Sequence, residues 1–154
     1  MSSERPGDRE PAPELNLGLL CYIPYRAMEI RVMQAVQAAG FGDITVAQAR
    51  LFARIGPSGT RITDLAEQAQ VTKQTAGFLV DQLERRGYVR RVPDPADARA
   101  RLVHIAARGQ AAIEVARTTE AEVEAEWTRY LGKPTAAQLR RALARLRQIT
   151  DPYG

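Results

Sequence analysis

The chain has 154 residues, of which 45% are hydrophobic and 26% charged, a composition typical of a globular, water-soluble domain. Its single cysteine excludes an internal disulfide and a cysteine-cluster zinc site, and no apolar run approaches the roughly 18 residues of a membrane span. The formal net charge of +4 is concentrated in residues 85–101, where six arginines stand against two aspartates. Such a local excess indicates a negatively charged partner.

Residues 1–14 are polar and Pro-rich and lack the apolar stretch of a signal peptide, so they predict a disordered tail on a cytoplasmic protein. A helical spacing of apolar residues follows from about residue 15 to 39. Pro24 either opens the main helix of this region or kinks a longer one. The segment 45–48 (TVAQ) fits a capping box, which predicts the start of a helix that runs to about Ile55.

Two further helices are predicted close together. Thr63 and Asp64 suit the start of a short helix to about Ala69, with the Thr63 hydroxyl as its cap. Thr72 is the N-cap candidate of the next helix, which ends at Gly87. The apolar positions that this second helix should bury are Ala76, Leu79, Val80 and Leu83.

The apolar periodicity then changes to that of strands. Residues 88–92 and 100–105 are short and rich in β-branched side chains, and the turn-forming segment PDPAD lies between them. They predict a two-stranded hairpin with a long, charged tip. A long helix should follow from Gly109 to about Leu131, and a second capping box at residues 135–138 should begin the last helix.

The order of these elements predicts a fold that is mainly α with a small β-hairpin wing. The short helix, the turn and the capped second helix form a helix-turn-helix pattern, which presents the N-terminal residues of its second helix to base edges in the major groove. A hairpin directly behind such a pair is a wing, whose arginines suit phosphates or the minor groove.

The stretch from Ile62 to Gly109 resembles the MarR family of winged-helix transcriptional regulators. The most specific parts are LVDQLERRGYVRR and the wing DPADARARLV, in which Asp97 and Arg99 supply the family's Asp-x-Arg signature. The resemblance implies an obligate homodimer that binds a pseudo-palindromic operator, usually as a repressor released by a small ligand or an oxidant. It divides the chain into the tail (1–14), a first dimerisation helix region (15–40), a winged helix-turn-helix domain (41–108) and C-terminal dimerisation helices (109–154).

DNA contacts are expected from the second helix of the pair and from the wing. Gln74 suits adenine and Lys73 guanine or phosphate, while Phe78 suits a thymine methyl group or packing on the wing. Arg99 is the expected minor-groove residue, with Asp97 holding its guanidinium, and the other wing arginines are expected on phosphates. The full set of predicted DNA-binding residues is Thr72, Lys73, Gln74, Thr75, Gly77, Phe78, Arg90, Arg91, Asp97, Arg99 and Arg101.

Two further sets of residues are expected at the dimer. The predicted dimerisation residues are Leu17, Leu20, Trp127, Leu139, Leu143 and Leu146. An apolar, mildly aromatic pocket for a phenolic or other lipophilic effector is expected from Cys21, Tyr22, Tyr25, Met28 and Phe52.

Cys21 leaves an alternative open. Peroxide sensors of the family have a reactive cysteine in this region, followed four residues later by a tyrosine, as Cys21 is by Tyr25. Ala35 and Val46 stand where those sensors have further tyrosines and cannot donate hydrogen bonds to a thiolate. The sequence therefore favours Cys21 as a small buried apolar residue and keeps a thiol-based redox switch as the alternative.

Other classes of protein fit less well. The single histidine, His104, removes most Ser/His/Asp and Cys/His schemes, and no ligand cluster accompanies it for a metal. Neither an enzyme nor a cofactor is expected. A winged-helix module for protein assembly, without operator binding, remains the alternative from another class. Gln70 departs from the family, which usually has glycine in the turn, and costs on the order of 1 kcal/mol if its φ is positive.

Overall fold

The computed structural model describes residues 13–153, so nearly all of the predicted tail lies outside the described residues. The fold is mainly α with a small three-stranded antiparallel sheet, as predicted. Within residues 13–153, no helix combines the length and apolar character that crossing a membrane requires. The elements are α1 (Leu17–Ala38), α2 (Val46–Phe52), β1 (Thr60–Arg61), α3 (Ile62–Ala69), α4 (Lys73–Arg85), β2 (Val89–Asp94), β3 (Asp97–Ile105), α5 (Ala107–Leu131) and α6 (Lys133–Thr150).

Helix α1 is one long helix that contains Pro24 in its interior. Of the two predictions for this proline, the longer helix is correct and a helix start at Pro24 is wrong. The Asn16 side chain caps the helix by accepting a hydrogen bond from the Leu19 amide at 2.9 Å. Because this cap satisfies amides of the first turn, the helix begins well before the proline.

The predicted capping box of α2 is confirmed. The Gln48 amide donates to Thr45 Oγ1 at 3.2 Å, and the Thr45 amide donates to Gln48 Oε1 at 3.1 Å. Gln48 is buried, and its Nε2 donates to Gln82 Oε1 of α4 at 2.8 Å. Gln48 therefore both completes the capping box of α2 and fixes α2 against α4. The helix ends at Phe52 rather than near Ile55.

Helix α3 begins at Ile62, two residues earlier than a cap at Thr63 predicts, so the Thr63 cap is wrong. Thr60 and Arg61 form β1, so the chain passes directly from a strand into the helix with Arg61 at the N-cap. At the other end, Gln70 has φ 55°, in the left-handed region. This is the strained turn anticipated from a non-glycine residue at this position, at a cost on the order of 1 kcal/mol.

The recognition-helix candidate α4 matches its prediction closely. Thr72 is the N-cap, and its hydroxyl accepts from the Thr75 amide at 3.1 Å. Gly87, with φ 81°, follows the helix end. The four residues predicted to be buried are all in the core: Ala76, Leu79, Val80 and Leu83.

The sheet has the order β1-β3-β2, so it contains one strand, β1, in addition to the predicted two-stranded hairpin. β1 pairs with β3 through Thr60 opposite Val103, and β2 pairs with β3 through Val89 opposite Ile105. β1 has only two residues, which is too short to show a strand periodicity, so it could not be predicted from the sequence. Both wing strands are also longer than predicted, and only Pro95 and Ala96 remain between them.

The last two helices begin earlier than predicted. α5 begins at Ala107, after Ala106, which has no polar side chain to cap the helix. α6 begins at Lys133 with Pro134 in its first turn, so the predicted capping box at Thr135 is wrong. Proline is favoured in the first turn because its fixed φ suits a helix and its missing amide has no partner to lose there.

The hydrophobic core lies within the winged-helix lobe and under α5. Its fully buried large side chains include Leu51, Leu65, Leu83, Tyr88 and Val103. The N-terminal half of α1 and most of α6 lie outside this core and expose leucine, isoleucine and tyrosine side chains.

The end of α6 is bound to the lobe. Asp151 accepts hydrogen bonds from Arg54 Nη2 at 2.9 Å and from Arg147 Nε at 3.1 Å, and its pKa lies below the usual range because of the Arg147 and Arg54 bonds. The Tyr153 hydroxyl donates to Glu67 on α3. These contacts tie the end of the last predicted dimerisation helix to Arg54, just after α2, and to α3 of the same chain.

Candidate nucleic-acid interface

The N-terminus of α4 presents an exposed polar surface. Lys73, Gln74 and Thr75 are exposed in its first turn. Thr72 is also exposed, and its hydroxyl both accepts from the Thr75 amide and donates to the Thr75 hydroxyl at 2.9 Å. The two threonines thus hold the end of the helix, while Lys73 and Gln74 remain available to a ligand. The amides of a helix N-terminus also favour an anion such as phosphate.

One turn further along α4 lie a glycine and an exposed aromatic ring. A Cβ built at Gly77 would meet nothing within 4 Å among the described residues. Phe78 is 57% exposed and lies outside the hydrophobic core. Since neither residue serves the packing of the lobe, both belong to the outward surface of the helix.

The wing supplies three exposed arginines. Arg90 lies on β2, and Arg99 and Arg101 lie on β3. None of the three guanidinium groups has an ion-pair partner within residues 13–153. They therefore supply unneutralised positive charge on the wing.

Arg91, predicted as a phosphate contact, differs from these three because its guanidinium is ion-paired within the described chain. Its side chain is 15% exposed, with Nη1 2.9 Å from Glu84 Oε1 and Nη2 2.6 Å from Asp81 Oδ1. The Arg91 amide also donates to Glu84 at 2.9 Å. Since both carboxylates lie on α4, Arg91 fixes the first strand of the wing to this helix.

Asp97 also differs from its predicted role. Its Oδ1 accepts a hydrogen bond from the backbone amide of Arg99 at 3.0 Å, rather than holding the Arg99 guanidinium. This contact shapes the turn into β3 and leaves the guanidinium free.

A second ion pair, between Arg61 and Asp94, supports the wing and was not predicted from the sequence. Arg61 donates to Asp94 Oδ2 through Nε at 2.8 Å and Nη2 at 2.6 Å. The other oxygen of Asp94 accepts from the Ala96 amide at 2.9 Å, and this bond, followed by Arg61, lowers the pKa of Asp94. The partners are 33 residues apart in the chain, so no local sequence pattern predicts the pair.

The start of α5 is fixed to the lobe by a polar cluster of Asp43, Arg86, Tyr88 and Arg108. Arg108 Nη1 lies 2.9 Å from Asp43 Oδ2, and its guanidinium stacks 4.4 Å above the Tyr88 ring. The hydrogen bond from the Tyr88 hydroxyl, followed by that from Arg108, lowers the pKa of Asp43. Burial and the Asp43 contact raise the pKa of Tyr88 to about 12. Arg86 donates to the Asp43 carbonyl oxygen, so its guanidinium group binds within the protein.

The structure does not bring the five predicted effector-pocket residues together. Cys21, Tyr22 and Tyr25 are exposed on α1, and Met28 is half-buried. Phe52 lines a cavity of about 340 Å³ between α1, α2 and α5, but the other four residues do not line it. The walls of this cavity include Val32, Val36, Ile44, Phe52, Ile105 and Ala116.

A polar cluster occupies the part of α1 near the predicted pocket. The Tyr25 hydroxyl donates to Glu29 at 2.6 Å, and Arg50 of α2 donates to both oxygens of Glu29 at 2.9 and 3.0 Å. These hydrogen bonds, led by that from Arg50, lower the pKa of Glu29 to about 2. The cluster therefore links the first helix to the lobe.

Cys21 is exposed, so the favoured prediction of a small buried residue is wrong for the described chain. Its place near the start of α1, ahead of the part that packs on the core, accounts for this exposure. His104 is half-buried, and Gly59 lies against its ring. Within residues 13–153, no cluster of three or more His, Cys, Asp or Glu side chains is placed to bind a metal.

The predicted dimerisation residues lie on surfaces that the single chain leaves open. Leu17 and Leu20 are exposed on α1, and Leu139, Leu143 and Leu146 are exposed on α6. Trp127 is half-buried and lines a groove of about 620 Å³ between α5 and α6.

Comparison with known proteins agrees with this architecture. Residues 42–100 match the model of the MarR family. The transcriptional regulator Tm0710 of Thermotoga maritima is 27% identical, with 87% of this chain and 92% of that one covered and a TM-score of 0.61. A mutant of MepR from a multidrug-resistant clinical isolate of S. aureus is 20% identical over 90% and 99% of the two chains, with a TM-score of 0.75.

A third solved structure was obtained with nucleic acid. It is another mutant of S. aureus MepR, bound to an oligodeoxyribonucleotide, 20% identical over 90% of this chain and 100% of that one, with a TM-score of 0.57. No curated protein sequence matches this chain. The matched segment spans α2 to the wing, and the likeness in fold covers most of the described chain. Residues 42–100 of this chain are thus similar to the MarR family, and the described chain shares the winged helix-turn-helix fold of these solved structures.

Proposed function

We propose that this protein is a sequence-specific DNA-binding transcriptional regulator that acts as a homodimer on a pseudo-palindromic operator. The observation that carries the proposal is that one lobe presents an exposed polar helix N-terminus on α4 and, on its wing, three exposed arginines without ion-pair partners in the described chain. The first turn of α4 suits base edges in the major groove, and the arginines suit the phosphates and minor groove on either side. That a MepR mutant was solved with an oligodeoxyribonucleotide supports the same use of the fold.

The role proposed for each residue follows from its exposure to solvent and from its hydrogen-bond partners. Lys73 and Gln74 read bases, the α4 amides behind Thr72 face a phosphate, and Arg99 enters the minor groove. Arg90 and Arg101 contact phosphates. Arg91 and Asp97 act indirectly, because Arg91 holds the wing against α4 and Asp97 shapes the turn into β3.

Repression released by a small lipophilic or phenolic effector is the regulatory part of the proposal. The cavity of about 340 Å³ lies where the first and fifth helices meet the lobe, and its walls are mainly aliphatic. A molecule that fills it contacts α1, α2 and α5 together, so it is placed to change the angle between the lobe and the helices that form the dimer.

The proposal is tested by selecting duplexes from a random-sequence pool with the purified chain. We expect an enriched palindromic motif whose affinity falls steeply with salt, since each neutralised phosphate contributes about −0.9 to the slope of log K against log salt. Selection that enriches no motif, together with binding that salt does not weaken, would contradict it and favour a module for protein assembly.

A thiol switch is the second candidate, because Cys21 is accessible in the described chain. If Cys21 is the switch, peroxide should release the selected duplex from the native protein and not from Cys21→Ser, as followed by fluorescence anisotropy. Release from both proteins would exclude the thiol mechanism and leave the effector cavity as the regulatory site.

A further inference from the structure

Phe78 is the exposed aromatic residue of the winged-helix lobe. The lobe, residues 41–108, is described throughout and contains four aromatic residues; Tyr88 is buried, Phe41 and Phe52 are half-buried, and Phe78 is 57% exposed. Exposure of a large ring costs free energy in the isolated protein, since its apolar surface stays in contact with water. A ring at this position is therefore stabilised when a ligand covers it.

The neighbours of Phe78 identify the kind of surface that would cover it. Gln74 precedes it by four residues and Thr75 by three, so all three side chains lie along one face of α4. Helical side chains lean toward the helix N-terminus, which brings the ring over the turn that carries Gln74. Gly77, whose Cβ position is open among the described residues, leaves room beside the ring for a second molecule.

The charge around this face excludes a purely apolar partner. Lys73 stands at the start of the same helix, and the wing of the same lobe exposes Arg90, Arg99 and Arg101. A polyanion that also offers a small apolar group fits this surface. The major groove of DNA offers one such group, the C5-methyl of thymine, whereas the other bases present polar atoms there. A phenyl ring against those polar atoms would remove their water without replacing its hydrogen bonds.

We propose that Phe78 is a specificity-determining residue that reads a thymine methyl group in each half of the operator. The inference rests on the proposed function and deepens it, because it names a base. Four residues of helix rise about 6 Å, and base pairs are about 3.4 Å apart, so the thymine should lie within about two base pairs of the base that Gln74 contacts.

The test replaces thymine by deoxyuridine, which differs only in lacking the methyl group. Duplexes selected with the full chain are substituted one symmetric pair of positions at a time, and their affinities are measured by fluorescence anisotropy. At one symmetric pair of positions, the replacement should weaken binding of the native protein about fifteenfold. This is about fourfold for each half-site, as expected for the loss of one buried methyl group in each half. Phe78→Ala should bind the two duplexes equally.

Two variants complete the experiment. Phe78→Leu keeps an apolar side chain and should retain most of the deoxyuridine effect. Val46→Ala removes an exposed apolar side chain from α2 and should retain the effect in full. The inference is overturned if no position distinguishes the native protein from Phe78→Ala, or if Phe78→Ala keeps the full methyl dependence. Absence of binding to any duplex would contradict the proposed function itself.

Discussion

Two of the helical glycines, Gly109 and Gly77, have opposite surroundings. At Gly109, in the first turn of α5, a Cβ would lie 2.3 Å from the Tyr88 carbonyl oxygen and 3.0 Å from the Phe52 ring. At Gly77 in α4, a Cβ would point into open space among the described residues. Gly109 lets α5 pack closely against the backbone at Tyr88, whereas the Cβ position of Gly77 contacts no other described residue.

These surroundings predict opposite effects for the same substitution. Gly109→Ala should destabilise the protein by about 1–3 kcal/mol, because the backbone oxygen of Tyr88 has to move. Gly77→Ala should stabilise it by up to about 1 kcal/mol, since alanine favours a helix interior. Urea unfolding of the two variants measures both values. Equal effects of the two substitutions would contradict the close packing at Gly109.

Single residues were predicted correctly only where the partner is near in the chain, although the local caps predicted at Thr63 and Thr135 were wrong. The Thr45–Gln48 capping box and the Thr72 cap each involve partners three residues apart, and both were predicted. Arg91, by contrast, has partners seven and ten residues away, and Arg108 binds Asp43 across 65 residues. Only the fold brings these groups together, so a charge pattern alone cannot separate arginines that face solvent from arginines used internally.

The wing and α4 form one unit at the scale of elements. The pairs that Arg91 makes with Asp81 and Glu84 join β2 to α4, and the pair of Arg61 with Asp94 joins β1 to the end of β2. The position of the wing arginines relative to α4 is thus set by ion pairs rather than by the core alone.

Adjacent arginines of β2 should therefore respond differently to the same change. Arg90→Gln should leave stability unchanged and reduce the salt slope of DNA binding by about 1.8 in a dimer, one phosphate contact for each protomer. Arg91→Gln should cost about 1 kcal/mol of stability, the value of a partly exposed ion pair, and weaken DNA binding with little change in slope. Unfolding curves and salt titrations measure these effects. A reversed pattern, in which Arg91→Gln changes the slope and Arg90→Gln does not, would contradict the roles assigned here.

The order of helices and the wing could be predicted because each long element carries its own periodicity. The element starts were less predictable. β1 has two residues, and its place beside β3 depends on a pairing with residues far along the chain, such as Thr60 with Val103. In α6, a plausible capping box at Thr135 was displaced by an earlier start at Lys133, where Pro134 suits the first turn.

At the scale of the whole molecule, the single chain leaves an extended apolar surface uncovered. Leu17 on α1 is 79% exposed and Ile149 on α6 is 82% exposed, and further leucines line both helices. Such surfaces are unusual on a monomer and mark an interface. The proposed homodimer covers them.

The proposed dimer can be tested on α6 with a matched control. Leu143→Glu combined with Leu146→Glu should shift the protein from dimer to monomer at micromolar concentration, because two charges would be buried at the interface. Gln148→Glu adds a charge away from the leucine stripe of the helix and should leave the dimer intact. Sedimentation velocity distinguishes the two states. A native protein that is already a monomer, or a double variant that stays dimeric, would contradict the proposed interface.

In the proposed complex, α4 reads bases while the wing contacts the backbone and minor groove of the same DNA. This division of roles is tested by the affinities of Gln74→Ala and Arg99→Ala for a selected duplex and for single-base variants of it. Gln74→Ala should lose about 1–3 kcal/mol of discrimination at one base pair of each half-site. Arg99→Ala should weaken binding to every duplex by a similar factor. This division of roles is contradicted if the two variants show the same profile, or if neither changes DNA binding.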